Sequence, residues 1–367
     1  MGVGGRGQAG SGMSPRLSRA YDHGMMRAMY KLILAGWIGM ASLSLAQTTN
    51  APAGADKPDL VKAMEHLNLP APLVAKIKNG EIVAPEINDA TDKELAVKLI
   101  MLVKATPDQL KEYITADNLM GKDPTFAASG QLTAEAPKIE GIKLTPDEAM
   151  DYLSAEPGND FNFHTDDYAK LKAAKKTVKD DSQAPAVAAK VIGEILTQRF
   201  QAYRQGGIGA VAPYARGDGK FSEPGDELLN AMLASPVLQN AAPDAFTAFR
   251  DFPGVDAAGV VHEFFWSQQK VEDKPAFILS HRMTYPMQHG VIYMDRQYFV
   301  SRTYNSMLTG TGCGQVAEGT IVYYVNRTST DQVSGFMQET KHSVGRKQMR
   351  EELIKMFEDI KKKVAKS

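Results

Sequence analysis

One cysteine, Cys313, stands among 367 residues, so no internal disulfide can form and stability must come from packing. An excess of either charge is also missing. The chain has 42 Lys and Arg against 43 Asp and Glu, a formal net of −1, which suggests no nucleic-acid surface. It contains no Walker loop, GxSxG, HExxH or paired-cysteine zinc spacing, and with them go the chemistries those motifs carry. Long apolar runs are scarce too. Leu32 to Leu45 is the longest, and its roughly 14 residues fall short of the ~20 that a spanning helix needs.

That run has a different use. Arg27 and Lys31 precede it, and Ser44-Leu45-Ala46 ends it with small residues. This is the pattern of a secretory signal peptide, with cleavage expected before Gln47. Residues 1–24 are rich in Gly, Ser and Arg, and Met25, Met26 and Met29 are alternative starts. Removing residues 1–46 takes away five basic residues and one acid, leaving 37 basic against 42 acidic, a net of −5. The expectation is a mildly acidic protein, secreted or periplasmic, with no membrane span in the mature chain.

Composition divides the rest. Residues 47–57 read as a linker, 58–144 as the N-terminal part of an α+β domain, and 145–250 as a helical block. Residues 251–367 read as an antiparallel meander closed by a helix. Within 93–104, Leu95, Val97, Leu99, Met101 and Val103 alternate while Ile100 and Leu102 are apolar on the opposite side. A strand and a buried helix both fit this pattern, and the strand is favoured. Thr106-Pro107-Asp108 then starts a helix to Ile114, and Phe126 to Ala134 has a weaker strand pattern. Thr145 with Glu148 forms a capping box for the helix that follows. Helices are expected over 165–176, 184–203, 227–233 and 244–249.

Four β-patterned runs follow. They are Val260–Val271, Ala276–Tyr285, Val291–Leu308 and Gly319–Thr328, with the glycine-rich Thr309–Gly314 read as a connection. The closing helix is expected from about Ser343. It carries Met349, Leu353, Met356, Phe357, Ile360 and Val364 as one apolar stripe, the mark of a helix lying on a core. The fold class is therefore α+β: a curved antiparallel sheet packed on a long C-terminal helix, with a helical insertion or subdomain.

This order of elements resembles the START-like, or helix-grip, superfamily. The resemblance is carried by Glu94 to Ile114 as opening strand and helix, and by Gly259 to Lys363 as meander and grip helix. It implies a space between sheet and helix that holds an apolar ligand. Lys143-Leu144-Thr145-Pro146 and Asn326-Arg327-Thr328 with Asp331 and Gly335 are similar to phrases of secreted bacterial proteins, which imply export and this fold but no activity.

Four residues are candidates for ligand binding. His281 lies on an otherwise apolar strand face between Leu279 and Met283, where it is either a ligand or acid–base group or a bonded core histidine. Arg327 continues the Ile321-Tyr323-Val325 face. A buried arginine must be paired, and an inward one can hold an anion. Tyr304 and Tyr323 supply hydroxyls. Arg302 poses the same choice as Arg327, with Asp295, Glu318 or Asp331 as expected surface partners for both. Asp160, His164, Asp166 and Asp167 resemble metal ligands, but their spacing suits a helix start better. No metal, cofactor or catalytic residue is assigned. Three functions remain open: a module binding an apolar or amphipathic small molecule in a sheet–helix cavity, a protein-interaction or envelope-maintenance protein, and an enzyme using His281.

Overall fold

The computed structural model describes residues 57–114, 126–135, 137, 139–271, 274–335 and 337–365. The expected leader, residues 1–46, lies outside them. In chain order the helices are α1 (Leu60–Met64), α2 (Ala71–Lys78), α3 (Pro107–Ile114), α4 (Pro146–Leu153), α5 (Thr165–Lys175), α6 (Ala184–Gly206), α7 (Pro224–Leu233), α8 (Pro236–Ala241), α9 (Pro243–Arg250) and α10 (Gln338–Val364). The strands are β1 (Glu94–Val103), β2 (Phe126–Leu132), β3 (Tyr214–Gly217), β4 (Lys220–Ser222), β5 (Val261–Val271), β6 (Lys274–Met287), β7 (Gly290–Val300), β8 (Ser306–Val316) and β9 (Gly319–Ser329).

Seven strands form one curved, open antiparallel sheet in the order β1-β9-β8-β7-β6-β5-β2. β1 pairs with β9 from Glu94↔Ser329 to Val103↔Thr320, and β2 lies at the far edge against β5. Both ends of the chain therefore build the sheet. The alternation in β1 explains its place. Leu95, Val97, Leu99, Met101 and Val103 enter the core shared with α10, while Ile100 and Leu102 enter a second core with Leu60, Met64 and Ile77 of α1 and α2. A strand covered on both sides must be apolar on both.

α10 buries Met349, Leu353, Phe357, Ile360 and Val364, each worth about 1.5–3 kcal/mol relative to exposure. They meet the odd-numbered residues of β1 and, on β9, Val322 and Tyr324. The Phe357 and Tyr324 rings sit 5.3 Å apart. The opposite face of β5–β8 is covered by α4 to α9, which lie between β2 and β5 in the chain. Phe200 and Tyr203 of α6 and Phe249 of α9 pack there with Phe264, Phe277, Leu279, Met283 and Tyr298. The sheet is thus the middle layer of three.

Local signals set the helix starts. The Thr145 hydroxyl accepts from the Glu148 amide at 3.3 Å, and the Glu148 carboxylate accepts from the Thr145 amide at 2.8 Å, the expected capping box. α6 ends at Gly207, whose φ of +58° and close approach to the Phe252 carbonyl leave no room for a Cβ.

Two expectations are corrected. The meander has five strands, because the run 291–308 breaks at Ser301–Asn305, where Thr303 takes a φ of +82°. The glycine-rich segment Thr309–Gly314 is not a connection but the body of β8. Glycine in a strand marks a close approach. A Cβ on Gly310 would lie 2.9 Å from Met294 Sδ and 3.1 Å from Val325 Cγ1.

Candidate functional site

Those glycines form the floor of a groove. Gly310, Gly312 and Gly314 alternate on β8, so all three leave the same face of the sheet without side chains. Pairing sets rows across three strands: Met294, Gly310 and Val325, then Ile292, Gly312 and Tyr323, then Gly290, Gly314 and Ile321. Ala63 and Leu67 from the α1 end, and Val237, Leu238 and Ala241 of α8, wall the space above. The groove holds about 370 Å³, towards the lower end of the roughly 300–1,000 Å³ typical of small-molecule sites. Among the described residues no Asp, Glu, Lys or Arg lines it, while Ser235, Gln288, His289 and Gln315 do.

The groove opens on the side of the sheet away from α10, not beneath the α10 stripe where the sequence places a cavity. The reason is side-chain size. Towards α10, β8 and β9 present Met307, Cys313, Val322 and Tyr324. Towards the helical layer, β8 presents glycine.

Only one of the four candidate residues borders the groove. Tyr323 lines it, and burial pushes its hydroxyl pKa up to about 12, so the phenol stays protonated. Arg327, on the same strand face, is buried but fully occupied. Its guanidinium donates to the Glu94 carboxylate at 2.7 Å, the Ala234 carbonyl at 2.6 Å, Ser235 Oγ at 3.1 Å and the Asn88 carbonyl at 3.3 Å. Burial lifts the pKa of Glu94, and Arg327 opposes that lift. Tyr304 belongs to the α10 side and donates to Gln297 Oε1. His281 lies on β6 against the helical layer, opposite Arg296 of β7.

The surface partners expected for the arginines give way to others. Arg302 is buried and pairs with Asp151 at 3.1 Å. Asp295 pairs with Arg282 at 3.0 Å. Asp331 joins Arg216 at 2.8 Å and Lys93 at 2.7 Å. Long-range packing chose these partners.

His281 has no solvent exposure and is bonded at both nitrogens. Tyr203 Oη lies 2.8 Å from its Nδ1, and His262 Nδ1 lies 2.8 Å from its Nε2. Phe249, Phe252 and Phe264 surround the ring. Burial, then the Arg296 charge, pushes the His281 pKa well down. Burial also lowers that of His262, so both imidazoles are neutral. In one direction Tyr203 donates to His281 and His281 donates to His262, which leaves His262 Nε2 without a hydrogen-bond partner, 3.8 Å from Asp256. The chain ties α6 and β5 to β6. It offers a substrate no approach to His281 itself.

The resemblance to metal ligands resolves at the start of α5. His164 is the N-cap, and its Nδ1 accepts from the Asp166 amide at 3.3 Å. Asp167 accepts from Arg199 at 2.6 Å. Cys313 is buried in β8, and burial pushes its thiol up to about 12. Asn326 of the Asn326-Arg327-Thr328 phrase is buried as well.

Sequence reasoning did not find the groove floor, Arg296, or the partners Tyr203 and His262. The glycines were findable, since Gly310-x-Gly312-x-Gly314 has the period of a strand.

Fold and groove together define an α+β protein with an open antiparallel sheet between two helical layers. Among the described residues no helix is long and apolar enough to cross a membrane. Comparison with protein-family models, curated proteins and solved structures gives no match.

Proposed function

We propose that this is an exported protein that binds an apolar or amphipathic small molecule, and that the groove above β8 is its binding site. The observation carrying this reading is the run of three glycines on one strand face under apolar walls. A stable core is normally close-packed and leaves few voids larger than a water molecule. Here Gly312 keeps volume open in the sheet, while Gly310 and Gly314 let Met294 and Ile321 lie close beside it. Small-molecule sites are mostly apolar with a few polar groups, and Tyr323 is such a group. The leader pattern around Leu32–Leu45 supports export, and the START-like order of elements supports an apolar ligand.

The test is a substitution that fills the space without straining the sheet. A Cβ on Gly312 would meet only Tyr323 Cβ, at 4.0 Å. Gly312→Phe therefore projects a ring into the groove. Nile red, a neutral apolar dye, should bind the unaltered protein with a rise in fluorescence. The variant should lose that signal while keeping its thermal midpoint. Absence of dye binding to the unaltered protein, or equal binding by both, would overturn the assignment.

A further inference from the structure

The groove also restricts the charge of what it holds, an inference that rests on the binding role proposed above. We propose that its ligand is electrically neutral, a long chain bearing one hydroxyl or carbonyl that pairs with the Tyr323 hydroxyl.

The argument begins with charge. Burying an ionised carboxylate without a partner is costly, so sites for fatty acids or other anionic chains need a cation or several donors. Among the described residues the lining of this groove contains no Lys or Arg, and its histidine, His289, lies in the turn between β6 and β7. Two arginines lie on the same face, and neither is part of the lining. Arg327 is bound by Glu94, two backbone carbonyls and Ser235 Oγ. Those bonds also consume Ser235, whose hydroxyl donates to the Ala231 carbonyl at 2.8 Å. Arg296, two residues beyond Met294, has no exposure and packs 3.8 Å from the Phe249 ring centre, outside the lining; it donates to the Phe249 carbonyl, and its Nε and Nη1 are buried there without hydrogen-bond partners.

Tyr323 differs from both. Its hydroxyl has no hydrogen-bond partner among the described residues, and its side chain lines the groove. A protonated phenol donates one hydrogen bond and accepts another, so an alcohol, ester or amide suits it equally. The rows around it are apolar, with Ile292 and Gly312 alongside and Ile321 and Val325 two positions away on its own strand. Ser235, Gln288, His289 and Gln315 also line the groove, so the Tyr323 hydroxyl is the polar contact amid its apolar rows, which fixes the ligand's orientation more than its affinity.

The experiment is displacement of Nile red from the full chain by dodecane, dodecanol and dodecanoate, below their aggregation limits and at mildly alkaline pH. Dodecanol should displace the dye at a concentration at least about tenfold below that of dodecanoate, since a desolvated carboxylate finds no partner. It should also act about three- to tenfold below dodecane, the value of one neutral hydrogen bond. Tyr323→Phe should erase the difference between dodecanol and dodecane and leave dodecane unchanged. Dodecanoate displacing as well as dodecanol would overturn neutrality while leaving the groove assignment standing. An unaltered dodecanol preference in Tyr323→Phe would overturn the role of the hydroxyl. Failure of the dye itself to bind would remove the binding site and this inference with it.

Discussion

The hydroxyl of Tyr203 sits 2.8 Å from Nδ1 of His281, so a polar contact, set among apolar ones, joins the longest helix of the block to β6. His281 is held neutral there by burial and by Arg296. The unfolded chain has no such restraint, and its histidines protonate near pH 6.5. Above that pH both states carry neutral rings and the depressed pKa has no effect. Below it the unfolded state binds protons that the native state refuses, so stability falls as pH falls. Urea unfolding between neutral pH and mildly acidic pH should show a loss approaching about 1.4 kcal/mol per pH unit for each such histidine. His281→Gln should be less stable at neutral pH and show a shallower acid slope. An identical slope in the variant would exclude His281 as its source.

Glu227 should act in the opposite sense. It is buried beneath β8, where it accepts from Asn305 Nδ2 at 2.8 Å and Ser306 Oγ at 3.1 Å. Burial pushes its pKa up to about 7. Between the ordinary carboxyl value and 7 the native state keeps a proton that the unfolded state releases, so this group costs stability as pH rises. Glu227→Gln should gain about 1–3 kcal/mol at neutral pH and little in acid. Equal gains at both pH values would point to packing instead of titration.

The Glu94–Arg327 pair, 2.7 Å apart, clamps β1 to β9 and to the turn between α7 and α8. Both side chains are buried. Removing one charge strands the other, at a cost of about 3–5 kcal/mol. Glu94→Gln and Arg327→Met should each lose an amount of that order in urea unfolding. The double variant should lose less than the sum of the two, as expected of residues in direct contact.

Cys313 gives an internal probe of packing. Its thiol is buried and pushed up to about 12, and the thiolate is the reactive form. Reaction with a disulfide reagent should be slower in the native protein than in urea by at least about a hundredfold. Fast native labelling would mean that β8 opens readily.

Much of the fold was legible along the chain. The alternation Leu95 to Val103 marked a strand, Thr145 with Glu148 marked a helix start, and the Met349–Val364 stripe marked a packed helix. These features repeat within a few residues, and local periodicity reveals which face must be buried. The site was less legible. Thr309–Gly314 passed for a connection because glycine usually breaks a strand, and only the neighbours Met294 and Val325 show why β8 needs it. Arg302 and Arg327 were recognised as residues that need partners. Those partners, Asp151 and Glu94, lie 151 and 233 residues away, beyond any spacing rule.

The amino-acid order alone determined an α+β chain without disulfides, a sheet drawn from both ends, and a closing helix with one oily edge. Short-range sterics, capping and hydrophobic period suffice for these. Tertiary structure decided which sheet face would stay partly open and which polar groups would be satisfied. Both depend on side chains meeting across strands and layers, where volume and charge must balance between residues that share no stretch of sequence.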